Sequence, residues 1–282
     1  MSLLWPSQSV ALASDSVAII HRARGLSHAV VSQQYSVCAP QAGEPLWLAA
    51  TSQFDQLLTA FELKANTELK ITLASSFVRY LALPPQQVRM SSAEKFAYAT
   101  AAYREIYGAA VNDWQIQLDD ASPSQTTMVA AVDKKLLATL SQVAQSHQRK
   151  LKCIQPYLMA AFNGLHQQIN TLNGFLVIVE SDRLLLVFVK QGRCQHLRVH
   201  LLAEDWQVEL KRLMMRESVL SEASDDGDTK EILIYAPAHS DVALNTIPGW
   251  KLKRVGAVNK KLNLTSLNLK SQSEHHFAML EI

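Results

Sequence analysis

Two distant stretches of the chain open in the same way. Val10 to Ile20 is an apolar run, a polar turn carrying Ser14-Asp15 and a second apolar run, and Val177 to Val187 repeats that order around Ser181-Asp182. Runs rich in Val, Ile and Leu on either side of a short polar turn specify β-hairpins. A hairpin used twice constrains the chain to two related halves, each opening on the same motif. Neither turn contains glycine. Without glycine the backbone N–H groups of such a turn are screened by Cβ atoms and φ > 0 is disfavoured, so a close anion cradle is not expected.

The 282 residues are enough for two domains, and 48% hydrophobic against 18% charged residues predicts a globular chain with a sizeable core. A net charge of +2 declares no nucleic-acid partner. Cys38, Cys153 and Cys194 are odd in number and without metal-ligand spacing, which predicts reduced thiols. Met1 to Pro6 lacks a secretory n-region and h-region, and the longest apolar run, Leu184 to Val189, falls far short of the ~20 residues of a membrane helix. The expectation is a cytoplasmic protein, peripheral to a membrane only through a partner.

Strands are predicted at about 8–13, 16–22 and 35–39, a helix from Pro45 to Leu63, and a strand from Leu69 to Ala74. An extended segment from Phe77 to Pro85 precedes Ser91-Ser92-Ala93-Glu94, a capping box opening a helix that should stop at Gly108. Strands follow at Trp114–Leu118 and Thr126–Val132, then a helix capped by Asp133, a strand near 151–154 and a helix from Pro156 to Ile169. Thr171-Leu172-Asn173-Gly174 marks a boundary. Beyond it come strands at about 175–180, 183–190 and 193–201, a helix from Glu204 to Leu220, a polar loop and a strand at Glu231–Tyr235. The expected division is 1–172, with an insert at about 77–133, and 173–282. Each half reads as βββα followed by βα units, giving two mixed sheets flanked by helices.

The order Leu81-Ala82-Leu83-Pro84, Tyr103-Arg104-Glu105-Ile106-Tyr107-Gly108, Asp113-Trp114-Gln115-Ile116, Met128 to Asp133 and Gln155 to Asn163 resembles the actin-like proteins of type IV pilus and type II secretion machineries, the PilM and GspL-like group. The resemblance implies a duplicated actin-like, ribonuclease H-like α/β fold whose facing hairpins could hold a nucleotide's phosphates. It also implies a scaffold that binds the cytoplasmic tail of an inner-membrane partner. The chain departs from nucleotide-binding members at both glycine-free turns and again at Ala236-Pro237-Ala238-His239-Ser240, where they would have glycines. A non-catalytic scaffold without cofactor is therefore the first expectation. The alternative is an active or residual ATPase of the same superfold.

Asp15 and Asp182 are the residues most like the acidic groups such a cleft uses, but Ser-Asp also simply closes a tight turn, and they read as degenerate phosphate turns. Cys194, His196, Arg198 and His200 fall on one strand face by the period of two, where Arg198 would repel a metal cation, so no metal site is expected. Asp225, Asp226 and Asp228 lack calcium-loop spacing. Lys251, Lys253, Arg254, Lys260 and Lys261 read as a lysine-protected strand edge. Tyr98, Tyr103, Tyr107 and Trp114 crowd the insert; Tyr103 and Tyr107 share a helix face and read as core. Tyr98, Arg104 and Trp114 are the expected partner contacts.

Overall fold

The computed structural model describes residues 7–23, 30–60, 66–86, 88–119, 121–122, 124–221, 230–256 and 279–280. The first hairpin is β1 (Ser7–Leu12) and β2 (Ser16–Arg22), antiparallel with Leu12 opposite Val17. Next come β3 (Val30–Val37), α1 (Trp47–Thr59), β4 (Glu68–Leu73) and β5 (Val78–Leu83). They are followed by α2 (Ser92–Tyr107), β6 (Trp114–Leu118), β7 (Thr127–Asp133), α3 (Lys134–Ser146) and β8 (Lys150–Pro156). The chain continues through α4 (Tyr157–Gly164), α5 (His166–Ile169), β9 (Asn173–Val179), β10 (Arg183–Lys190), β11 (Arg193–Leu201), α6 (Trp206–Ser221), β12 (Glu231–Tyr235) and β13 (Lys251–Arg254).

The hairpin repeat becomes a repeat of whole sheets. One five-stranded sheet has the order β3-β2-β1-β4-β8, and a second the order β11-β10-β9-β12-β13. In both, the first three strands are antiparallel neighbours and the last two join in parallel. The third sheet, β5-β7-β6, is antiparallel and has its own small core of Leu83, Ala99, Tyr103, Val111, Ile116, Val129 and Ala131. It is built from chain lying between β4 and α3.

Alternation along the second sheet explains how it is buried on both faces. Leu176, Ile178, Leu185 and Val187 point into a core shared with the first sheet and α4, while Phe175, Val177, Val179, Leu184 and Leu186 point to α6. Each fully buried aliphatic side chain of this kind contributes about 2 kcal/mol. Gly174 lies where β9 meets β12, and a Cβ there would come within 2.1 Å of the Glu231 carbonyl oxygen. Because the obstacle is backbone, Gly174→Ala is expected to cost about 3 kcal/mol, read as a lowered urea midpoint. An unchanged midpoint would contradict that packing.

Local signals in the sequence mark the right places. Ser91 Oγ accepts from the Glu94 N–H at 3.3 Å while Glu94 Oε2 accepts from the Ser91 N–H at 2.7 Å, so both halves of the capping box form. Gly108, with φ +63°, ends α2. Asp133 Oδ1 caps α3 by accepting from the Lys135 N–H at 2.7 Å. Elsewhere the boundaries differ. The third strand begins at Val30 rather than 35, because pairing with β2 recruits the polar Ser32, Gln33 and Gln34, which carry no apolar pattern. The single helix expected from Pro156 to Ile169 is two, broken at Leu165 beside Gly164, and Pro156 ends β8. The segment 61–65, expected to extend α1, lies outside the described residues.

Candidate functional site

The two turns are built alike. The Ala13 N–H donates to the Ser16 carbonyl at 2.9 Å and the Glu180 N–H to the Arg183 carbonyl at 2.9 Å. The third strand of each sheet then ends on the same atom: the Cys38 N–H donates to the Asp15 carbonyl and the Leu202 N–H to the Asp182 carbonyl, both at 2.8 Å. The side chains also serve the turns. Ser16 Oγ donates to Asp15 Oδ1 at 3.0 Å, and Asp182 Oδ2 lies 3.2 Å from Arg183 Nε. Burial, with the Asp15 charge beside it, pushes the Cys38 thiol up to about 11. None of Ser14, Asp15, Ser181 and Asp182 has positive φ. Such turns cannot turn successive N–H groups inward as an anion cradle does.

At the start of the second turn stands Glu180, which no motif in the sequence marks. It is buried, sits one position beyond β9, and reaches the other half of the molecule. Its Oε1 accepts from Ser75 Oγ at 2.6 Å and its Oε2 from the Ser75 N–H at 3.0 Å. Ser75 follows β4, whose end is joined to β1 by the Ala74 N–H donating to the Leu12 carbonyl at 2.9 Å. Tyr80, whose hydroxyl is 3.4 Å from Ser75 Oγ, and the ring pair Tyr157–Tyr235, with centroids 6.4 Å apart, pack beside it. Burial raises the Glu180 carboxyl to about 7 against the lowering effect of the Ser75 bonds. A nucleotide phosphate does not fit these turns: they offer no cradle, and the second adjoins a buried acid. The one available signal was an acidic residue ending an otherwise apolar run.

The Ala236 to Ser240 segment is tied to its neighbours by side chains. Ala236 is buried, the His239 ring lies 5.7 Å from that of Trp206, and Arg254 donates to the Ala236 carbonyl at 3.4 Å.

A cavity of about 550 Å³ opens elsewhere. One wall is the β6–β7 connection with Asp119, Gln125 and Met128; a second is α4 and α5 with Met159, Phe162 and His166; the third is the β10–β11 hairpin with Val187 and Arg193. Its rim is fixed by hydrogen bonds. Asp119 Oδ1 accepts from the Met128 N–H at 3.0 Å, Thr126 Oγ1 donates to the Gln195 carbonyl at 3.3 Å, and Arg193 donates to Gln125 Oε1. Cys194, at its edge, has a thiol pushed up to about 12 by burial and the Asp119 charge, and so is a poor nucleophile. An apolar floor with a polar rim on three separate elements suits an extended polypeptide segment.

The residues expected as partner contacts are not brought together. Tyr98 borders a small hollow with Pro84, Val88 and Met90, which meets the cavity at Gln125. Trp114 is at the other end of β6, edge-on to Tyr103 at 6.0 Å and Tyr107 at 5.0 Å, so its truncation also removes packing. Arg104 is exposed and donates to Asn112 Oδ1 at 3.1 Å.

The expected single face of Cys194, His196, Arg198 and His200 is not formed. A bulge pairs Val189 with Cys194 but Phe188 with His196, so one extra residue rotates the strand between them. Cys194 joins the core shared by the halves, whereas the His196 ring stacks on Phe188 at 5.1 Å on the α6 side. Arg198 pairs there with Glu217. Lys251 and Lys253 are exposed on β13, an edge strand. Asp225, Asp226, Asp228, Lys260 and Lys261 lie outside the described residues.

No family model matches the chain, and no curated protein matches it by sequence. Solved structures do. The PilM-PilN type IV pilus biogenesis complex is similar at 12% identity and TM-score 0.65, over 97% of this chain and 96% of that one. The cytoplasmic domain of EpsL, an inner membrane component of the type II secretion system of Vibrio cholerae, is similar at 11% identity and TM-score 0.55, covering 89% and 90%. A Bacteroides thetaiotaomicron protein with an actin-like ATPase fold and unknown function is similar at 10% identity and TM-score 0.54, covering 82% and 81%. Among the described residues no helix is long and apolar enough to cross a membrane. Two sheets of one topology, opened by paired hairpins in a chain that these structures match over 82% to 97% of its length, give the chain the actin-like fold.

Proposed function

We propose that this chain is a non-catalytic scaffold that binds the cytoplasmic tail of an inner-membrane partner within a pilus or type II secretion assembly. The reading divides it into a first half, 1–172, with an insert at about 77–133, and a second half, 173–282. The observation that carries it is a contrast: the glycine-free turns form no cradle and Glu180, beside the second, is tied to Ser75, while the cavity between β6–β7, α4–α5 and β10–β11 stays open. An extended tail in that groove would set apolar side chains against Met128, Met159 and Phe162 and hydrogen-bond the polar rim. Where it leaves the groove past Gln125 it would meet Tyr98. Trp114 and Arg104 contact the partner only if the tail continues over the insert.

A photocrosslinking residue placed at Phe162 in intact cells tests this. The expected product is one membrane protein joined through its cytoplasmic segment, with no such product from Val31, exposed on the edge strand β3. Equal products from both positions, or none from Phe162, would sink the groove assignment.

A further inference from the structure

Glu180 lies outside the groove, and its burial needs a reason. A carboxyl group taken out of water is costly unless its oxygens are bonded, and both of these oxygens accept from one residue of the opposite half, Ser75. Each partner is itself held to the first strand of its own sheet. Ser75 follows Ala74, whose N–H donates to the Leu12 carbonyl, and Glu180 directly extends β9 and donates its N–H to the Arg183 carbonyl. The bond therefore joins sheet to sheet with little slack. The groups around it come from three further elements: Tyr80 on β5, Tyr157 on α4 and Tyr235 at the end of β12. The nearest charges, Asp182 and Arg183, are paired with each other.

We infer that Glu180 and Ser75 form a built-in clasp that holds the two halves shut without any bound ligand. The closed state is then a property of the chain, where clefts of this kind elsewhere close on what they bind. One consequence rests on the groove reading above: with Val187 and Arg193 on one half and Met159 and Phe162 on the other, a shut clasp keeps the groove preformed and spares a partner the cost of ordering it.

Two measurements read the clasp. Exchange of the Ser75 amide hydrogen reports the bond itself, and the labelling rate of Cys194 by a thiol reagent reports separation of the halves, since Cys194 is buried at their junction. In Glu180→Leu, which keeps most of the volume, and in Glu180→Ala, both rates are expected to rise about tenfold or more. Glu180→Gln should raise neither rate, because its amide offers one acceptor to the Ser75 N–H and one donor to Ser75 Oγ. Ser75→Ala, which removes the hydroxyl from the other side, should raise Cys194 labelling as well. Parental rates in the leucine variant would overturn the clasp. So would a freed Ser75 amide with unchanged Cys194 labelling, for the halves would then not be held by it. Neither readout involves a partner, so this result and that of the crosslinking experiment are independent.

Discussion

Replacing Glu180 with glutamine is expected to leave stability nearly unchanged near pH 4 and to raise it by about 3 kcal/mol near pH 8. The sign follows from where the proton sits. The carboxyl moves from an ordinary value of 4.5 up to about 7 on folding, so between those values the folded chain holds a proton that the unfolded chain has released. The stability that this group contributes is complete below about 4.5 and is lost as pH rises through about 7. Glutamine copies the protonated carboxyl at every pH and removes the loss. The histidines His21, His196, His200 and His239 work in the opposite direction, since burial lowers each of them. Their penalty for protonation falls on the acid side and fades as pH rises through their ordinary value of 6.5. Because they are common to parent and variant, they cancel in the difference. Urea unfolding of both proteins at three pH values isolates Glu180, and a difference that stays flat with pH would contradict its assigned burial cost.

Phe162→Ala should weaken capture of the partner's tail by about 30-fold, the loss expected when an aromatic anchor worth about 2 kcal/mol is truncated. Phe162 is half-buried on α4, packs against the shared core on one side and lines the open groove on the other, so the variant's urea midpoint is measured beside its affinity. Val31→Ala, on the edge of the first sheet, provides the matched control. Tail binding measured by fluorescence anisotropy, once crosslinking has identified the tail, checks the pair. Equal affinities for the parent and Phe162→Ala would remove Phe162 from the interface.

Much of the fold was legible because it depends on local rules. The paired hairpins, the Ser91–Glu94 box, the Asp133 cap and the Gly108 stop are each written within a few adjacent residues, and each forms. The shared face of Cys194 and His196 failed because it assumed an unbroken period of two, and nothing in Arg193 to Leu201 announces the bulge opposite Phe188 and Val189. The groove and the clasp were hidden for another reason. Met128, Phe162 and Arg193 come from three separate elements, and Glu180 meets Ser75 across 105 positions of chain. Only the packing of the halves brings them together. Tyr98 and Trp114 stand out by residue type alone, which marks aromatic-rich surface and core alike. The structure puts Trp114 in ring contact with Tyr103 and Tyr107.

On the proposed reading the two hairpins serve no nucleotide, and Glu180 ties the second of them to Ser75 at the end of β4. Calorimetric titration of the full chain with Mg-ATP tests it directly. No saturable heat is expected up to about 1 mM, because the turns at Ser14-Asp15 and Ser181-Asp182 supply no cradle and the buried Glu180 carboxyl adjoins the second of them. A dissociation constant of about 1 μM that weakens in Asp15→Ala would contradict the account and make the first turn a working phosphate site.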